Sequence, residues 1–93
     1  MKAILHKKAH KYLDRLSASD KARIEKAIEG LLQKPPAGDI RPYVGALGRW
    51  RLKEGDYRIL YKIIAIKNED VIEITHIEPR GQAYTRKTRE KRG

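Results

Sequence analysis

The spacing of apolar residues changes once along the chain, and this change constrains the fold more than any other feature. In residues 7–32 apolar side chains recur at intervals of three and four, which is typical of a buried stripe on a helix. In residues 49–77 they recur largely at every second position, which is typical of strands. Helices that come first, followed by strands with hairpin-length connections, predict an α+β fold.

Two helices are predicted in the first part of the chain. The first spans residues 7–16, and its apolar stripe consists of Ala9, Tyr12, Leu13 and Leu16. The second has the clearest helical spacing, at Ile24, Ala27, Ile28, Leu31 and Leu32. Residues 17–20 (SASD) offer caps for the second helix, and Lys34-Pro35-Pro36 ends it, because proline cannot donate to a helix. The short connection predicts an antiparallel helical hairpin.

The predicted strands are short and joined by tight turns. One strand precedes the helices at residues 2–6, and three follow, at residues 49–53, 57–66 and 71–77. Residues 57–66 carry apolar side chains on both faces, which favours a central strand. A turn at residues 54–56 and a four-residue loop at residues 67–70 connect the last three strands, and residues 35–48 form a loop with a short strand near residues 41–44. The predicted order is β-α-α-β-β-β, with the N-terminal helical hairpin packed on a small antiparallel sheet.

Length and charge narrow the range of partners. The 93 residues predict one domain, residues 1–93, with a basic tail at residues 85–93. The chain has 22 Lys plus Arg against 12 Asp plus Glu, a net charge of +10, which predicts a negatively charged partner. No apolar run approaches the roughly 20 residues of a membrane-spanning helix, and the absence of cysteine excludes disulfides and thiolate metal sites. We therefore expect a cytoplasmic protein that does not act on a membrane.

Cations alternate with apolar residues in the first predicted hairpin, RWRLKEGDYRILYKI (residues 49–63). Arg49, Arg51 and Lys53 fall on one face of the first strand, and Arg58 can point to the same side after the turn. No Asp or Glu lies between these cations on that face of residues 49–53. The pattern favours a phosphate-binding surface over an ordinary solvated face, because guanidinium groups match phosphate oxygens and stay charged at any working pH.

The histidines carry weaker signals. His6 and His10 are four residues apart at a helix start, but no third ligand accompanies them, so no metal site is predicted. His76 alternates with Ile72 and Ile74, which favours a packed or edge histidine over a catalytic one. The sequence also has no pair of carboxylates at a spacing typical of a two-metal nuclease.

Three features together resemble the RelE/ParE superfamily of type II toxin–antitoxin toxins, and in particular its RelE-like branch. They are the order β-α-α-β-β-β, the segment GDYRILY at residues 55–61, and the strand ending ITHIEPRGQAY at residues 74–84. The resemblance implies a four-stranded antiparallel sheet beside a helical hairpin. It also implies a toxin that enters the ribosomal A site, cuts mRNA by attack of the 2′-hydroxyl without a metal or other cofactor, and so inhibits translation.

The same resemblance implies roles for individual residues. Arg58 matches the transition-state arginine of the family, and Arg80 and Tyr84 match its C-terminal arginine and tyrosine. The implied catalytic residues are Arg51, Arg58, Arg80 and Tyr84, and the implied RNA-binding residues are Arg49, Lys53, Arg86 and Lys87. Arg49 and Arg51 replace a lysine pair, and Glu78 lies where some RelE proteins have a basic residue. The general base is not identified.

The implied partners are an acidic antitoxin that folds on binding, the ribosomal A site, mRNA and rRNA. Two other functions fit the same sequence. One is a ParE-type inhibitor of DNA gyrase, which shares the fold and lacks the nuclease residues. The other is a non-catalytic module that binds RNA or an antitoxin.

Overall fold

Two helices and five strands make up the computed structural model, which describes residues 1–45 and 47–79. The elements are β1 (Lys2–Leu5), α1 (Lys7–Asp14), α2 (Ala18–Gly30), β2 (Asp39–Pro42), β3 (Arg49–Glu54), β4 (Tyr57–Ile66) and β5 (Glu69–Pro79). The predicted α+β class is confirmed. The strands form one sheet in the order β1-β5-β4-β3-β2, so β4 is central as predicted.

The sheet has one strand more than predicted, and it is mixed rather than wholly antiparallel. β1 pairs in parallel with β5, whereas the other neighbours are antiparallel. Parallel neighbours need a long connection, and the chain between β1 and β5 supplies it. The extra strand, β2, begins before the short strand suggested at residues 41–44 and pairs with β3 at the sheet edge. Pro42 is tolerated there because an edge strand has amide positions that face no partner.

Capping side chains and backbone bonds set the helix ends. The Ser17 hydroxyl accepts a hydrogen bond from the amide of Asp20 at 3.2 Å, which begins α2 at the predicted place. α1 ends at Asp14, before the predicted residue 16. The amides of Arg15 and Leu16 bond three residues back, at 3.1 and 3.2 Å, and tighten the chain into a 3₁₀-type last turn.

Both antiparallel hairpins of β3, β4 and β5 turn on two residues. Gly55, with a φ of +57°, opens the turn between β3 and β4. The turn between β4 and β5 is Lys67 and Asn68, with φ values of 52° and 66°, rather than the predicted four-residue loop. Positive φ at both central residues matches the twist of the flanking strands, so the ladder continues to the turn.

The helices cover one face of the sheet. Buried residues of α1 and α2, together with Leu31 just after α2, pack against inward-pointing residues of β3, β4 and β5. The cluster consists of Ala9, Leu13, Ile24, Ile28, Leu31, Leu52, Ile59, Tyr61, Ile72, Ile74 and Ile77. A fully buried aliphatic side chain contributes about 1.5–3 kcal/mol, so this cluster is the main source of stability. Neither helix of the described part is both long enough and apolar enough to cross a membrane.

Candidate functional site

Six cations of β2, β3 and β4 lie on the sheet face that points away from the helices. Strand alternation places them opposite the core residues Leu52 and Ile59. We call this surface the basic face; its cations are Arg41, Arg49, Arg51, Lys53, Arg58 and Lys62. Lys53 lies directly across from Arg58. The four cations singled out in the first hairpin of the sequence therefore share one face.

Arg58 is held by a carboxylate and an aromatic ring. Its Nε donates to Oε1 of Glu78 at 2.9 Å, and its Nη2 donates to the same oxygen. Its guanidinium carbon lies 5.8 Å from the centre of the Tyr43 ring, within the range of a cation–π interaction. The amide of Tyr43 donates to the carbonyl of Arg49 at 2.9 Å, which anchors this residue beside β3. No periodic signal in the sequence marks Tyr43 as part of this site, because the residue lies in the loop after β2.

The carboxylates on the basic face come from neighbouring strands. Lys62 pairs with Glu73 across β4 and β5 at 3.4 Å. Asp39 of β2 lies 3.6 Å from Arg41 Nε and 3.8 Å from Arg51 Nη2. With Glu78, three carboxylates stand against these six cations. Lys2 of β1 and Glu69 of β5 lie on the same face and cancel, so the face carries a net charge of +3. The basic face is therefore not uniformly positive, although β3 itself carries no carboxylate on it.

Arg51 differs from the other cations in its hydrogen bonding. Its side chain is only 22% exposed, and within residues 1–45 and 47–79 its buried Nε has no hydrogen-bond partner. A buried N–H donor without a partner costs about 1–3 kcal/mol. Because this Nε has almost no accessible surface, the Arg51 side chain has to turn before its Nε–H can donate to an oxyanion on the basic face.

The structure brings together half of the residues predicted for the site. Arg49, Arg51, Lys53 and Arg58 lie on the basic face, and Arg49 and Lys53 make no ion pair with any other described residue. The predicted residues Arg80, Tyr84, Arg86 and Lys87 lie outside the described residues.

His76 also lies on the basic face, exposed rather than packed in the core, and beyond the stretch of β5 that pairs with β1. Tyr61 pairs with Ile74, and Leu60 pairs with His76, so Thr75 is an extra residue in β5. This bulge moves His76 off the face that Ile74 shares with the core, and leaves it exposed. The sequence did contain a sign of this bulge. The apolar residues Ile74 and Ile77 are three positions apart, whereas strict alternation would separate them by two.

Two tyrosines of β4 contribute to the fold rather than to the basic face. The Tyr57 hydroxyl donates to Asp20 at 2.8 Å, and this bond raises the pKa of Tyr57. Burial raises the pKa of Tyr61, which belongs to the core cluster. Residues 1–45 and 47–79 contain no group of three His, Asp or Glu side chains that could hold a metal ion.

Comparisons with known proteins agree on the fold. A YoeB/ParE toxin from Agrobacterium tumefaciens is 20% identical, with a TM-score of 0.69 over 85% of this chain and 98% of that one. The toxin–antitoxin complex RelBE2 from Mycobacterium tuberculosis is 22% identical, with a TM-score of 0.68 over 85% and 96%. The RelE–RelB complex from the archaeon Pyrococcus horikoshii OT3 is 26% identical, with a TM-score of 0.68 over 87% and 96%. These likenesses confirm the predicted RelE-like fold.

The sequence itself also matches a known family. No curated protein matches the chain. The family model described as the ParE toxin of the type II toxin–antitoxin system parDE matches residues 3–84. The match spans most of the chain, including the helical hairpin and the basic face. The protein therefore belongs to the ParE toxin family, within the RelE/ParE superfamily of type II toxin–antitoxin toxins.

Proposed function

We propose that this toxin is a ribosome-dependent mRNA endonuclease that cleaves by attack of the ribose 2′-hydroxyl. The observation that carries the proposal is the position of Arg51 and Arg58 on the basic face. They are diagonal neighbours on adjacent strands, because Arg51 pairs with Leu60 and Lys53 pairs with Arg58. Diagonal neighbours are about 7–8 Å apart, and arginine side chains from both positions can converge on one phosphate.

The chemistry suits such a pair of guanidinium groups. As the 2′-oxygen attacks, negative charge grows on the phosphate oxygens, and fixed donors aimed at them lower the barrier. Arg58 supplies the N–H donors that Glu78 leaves unused, and Arg51 supplies a second guanidinium on the same face. The nucleophile belongs to the substrate, so the reaction needs no metal. The products are a 2′,3′-cyclic phosphate and a free 5′-hydroxyl.

An acidic antitoxin and the ribosome complete the proposal. The RelE toxins of M. tuberculosis and P. horikoshii are described as complexes with their antitoxins. The net charge of +10 and the basic face of this chain suit an acidic segment that folds on binding and covers the cations. The resemblance to RelE implies that the ribosomal A site positions the mRNA, and the same cations would contact rRNA.

The test is primer extension on a reporter mRNA in a purified translation system, with and without ribosomes. Wild type should produce discrete cuts only when ribosomes are present. Arg58→Ala should lower the cleavage rate about 10²–10³-fold, the loss expected when one donor to a transition-state oxyanion is removed. Arg15→Ala is the matched control, because Arg15 is exposed at the end of α1 and is not part of the basic face. Its rate should stay within about twofold of wild type.

Cuts of equal intensity from wild type and Arg58→Ala would contradict the role of Arg58. Intact mRNA at toxic protein levels would contradict the nuclease proposal as a whole.

The matching family model favours a second candidate, a gyrase inhibitor of the ParE type. The pairing of Arg58 with Glu78 also suits this candidate, because it offsets the charge that a nuclease would present to phosphate. A gyrase inhibitor predicts DNA breaks and an SOS response with intact mRNA. A non-catalytic binding module predicts salt-sensitive RNA binding with no product from either nucleic acid.

A further inference from the structure

The bulge in β5 gives the basic face a histidine beside its arginines. His76 pairs with Leu60, and Leu60 pairs with Arg51 on its other side. Glu78, the partner of Arg58, lies two residues after His76 on the same strand face. His76 is thus a diagonal neighbour of Arg58, at a distance of about 7–8 Å between their positions on the sheet.

Hydrogen bonds to Thr75 determine which nitrogen of His76 carries the proton when the ring is neutral. The Thr75 hydroxyl is buried, and it donates its single proton to the carbonyl of Leu60 at 3.2 Å. His76 Nδ1 lies 3.2 Å from the same hydroxyl oxygen, which can then only accept. Nδ1 must therefore be the protonated nitrogen, and Nε2 keeps a free lone pair.

The imidazole borders a cavity on the basic face. The cavity measures about 350 Å³ and is lined by His6, Lys8, Arg49, Lys62, Glu73, Thr75 and His76. Its charged groups come from α1, β3, β4 and β5, and cations outnumber the one carboxylate. A nucleotide whose phosphate lies at Arg51 and Arg58 can place its ribose toward this cavity, which brings the 2′-hydroxyl toward His76.

We propose that His76 Nε2 is the general base of the cleavage reaction, an inference that rests on the proposed nuclease function. Nε2 takes the proton of the 2′-hydroxyl, and the 2′-oxygen forms a bond to phosphorus. The bond between phosphorus and the 5′-oxygen breaks, and the leaving oxygen takes a proton from water. The imidazolium then returns its proton to solvent, so protons balance over the cycle and no redox step occurs. Arginine is a poor base because it stays protonated, and His76 supplies the function that the arginines lack.

The decisive variant is His76→Asn. The amide Nδ2 of asparagine can donate to Thr75 as Nδ1 does, but asparagine has no nitrogen that can accept a proton. We expect a single-turnover cleavage rate about 10²-fold or more below wild type, with unchanged cyclic-phosphate products. His10→Gln is the matched control, because His10 lies on α1 beside Asp14 and does not line this cavity. It should cleave at the wild-type rate.

A pH profile separates a base from a residue that only shapes the surface. The wild-type rate should fall toward acid pH as the base becomes protonated, and the slow residual reaction of His76→Asn should lack that acid limb. His6, Glu73, Arg49, Lys62 and Lys8 share the cavity, so His6→Gln is measured in parallel. An acid limb that persists in His76→Asn and disappears in His6→Gln would overturn the assignment.

The remaining outcomes distinguish this inference from the function on which it rests. Cuts by His76→Asn at the wild-type rate would overturn the role of His76 and leave the nuclease proposal standing. The absence of cuts by wild type would overturn both. Thermal denaturation of each variant checks that the fold is retained, which is expected because His76 is exposed.

Discussion

At the scale of single residues, the contact between Arg58 and Glu78 decides how available the basic face is to a phosphate. Nε and Nη2 of Arg58 donate to one oxygen of Glu78, which leaves Nη1 and the second N–H of Nη2 for other acceptors. A bound phosphate has to displace that carboxylate or share the guanidinium with it. Both side chains are partly exposed, so the pair stabilises the fold by only about 0.2–1 kcal/mol. A phosphate that accepts two hydrogen bonds from the guanidinium can therefore compete with Glu78.

Glu78→Gln should therefore strengthen binding of RNA. We expect an affinity for a short single-stranded RNA about two- to fivefold above wild type, which corresponds to the 0.2–1 kcal/mol of an exposed ion pair plus a gain in net charge. Fluorescence anisotropy at two salt concentrations measures the effect. Glu29→Gln removes the same charge from the exposed surface of α2 and serves as the control. Equal affinities of the two variants would show that Glu78 does not compete with phosphate.

At the scale of elements, the cap of α2 shows how a local signal fixes a boundary. Ser17 has the extended backbone of an N-cap residue, and its hydroxyl bonds the amide three residues on. Asp20, at the third helical position, also accepts the bond from Tyr57 of β4. The first turn of α2 thus joins the helix to the sheet.

Ser17→Ala should lower the free energy of unfolding by about 1 kcal/mol, because the Asp20 amide loses its acceptor and the helix start can fray. Urea denaturation measures the change. Ser19→Ala, inside the exposed first turn, should have an effect within about 0.5 kcal/mol, since alanine is a better helix former than serine. A loss as large in Ser19→Ala as in Ser17→Ala would contradict the capping role.

The elements that the sequence predicts well are those set by local chemistry. The apolar spacing and the Ser17 cap predicted both helices, and apolar side chains on both faces of residues 57–66 predicted that β4 is central. The turn at Lys67 and Asn68 was predicted too long, because positive φ in residues other than glycine leaves no strong mark on composition. The parallel pairing of β1 depends on where the distant strand β5 lies, and no local pattern encodes that position.

At the scale of the whole molecule, buried and hydrogen-bonded tyrosines make the fold sensitive to alkaline pH. Burial raises the pKa of Tyr12 and Tyr61, and the bond to Asp20 raises the pKa of Tyr57. The folded chain therefore holds these protons more tightly than the unfolded chain, where tyrosine has a pKa of about 10. Their contribution to stability is fully present below that pH and is lost as the pH rises through the folded-state values.

The urea concentration at the midpoint of unfolding, measured between about pH 8 and 11.5, should therefore fall steeply above about pH 10. Tyr61→Phe is the informative variant, because it keeps the buried ring and removes one titrating hydroxyl. Its midpoint should fall less steeply than that of wild type over the same range. Parallel curves would mean that lysines and the other tyrosines account for the whole decline.

The site was harder to predict than the fold, because it depends on neighbours across the sheet. Alternation in one strand was enough to place Arg49, Arg51 and Lys53 together. The pairing of Arg58 with Glu78 and the approach of Tyr43 join residues 20 and 15 positions apart, and only the strand register brings them into contact.

The bulge at Thr75 links the number of residues in β5 to the face on which each side chain lies. Ile74 faces the core and His76 faces away from it because one extra residue stands between them in the ladder. If β5 paired with β4 without the bulge while Thr75 was still present, strict alternation would exchange the faces of the residues that follow, and Ile77 would point outward. An in-frame deletion of the Thr75 codon avoids that exchange, because it removes the extra residue and keeps His76 outward and Ile77 inward. A lineage could therefore lose these three nucleotides and keep the side chains of β5 on their present faces.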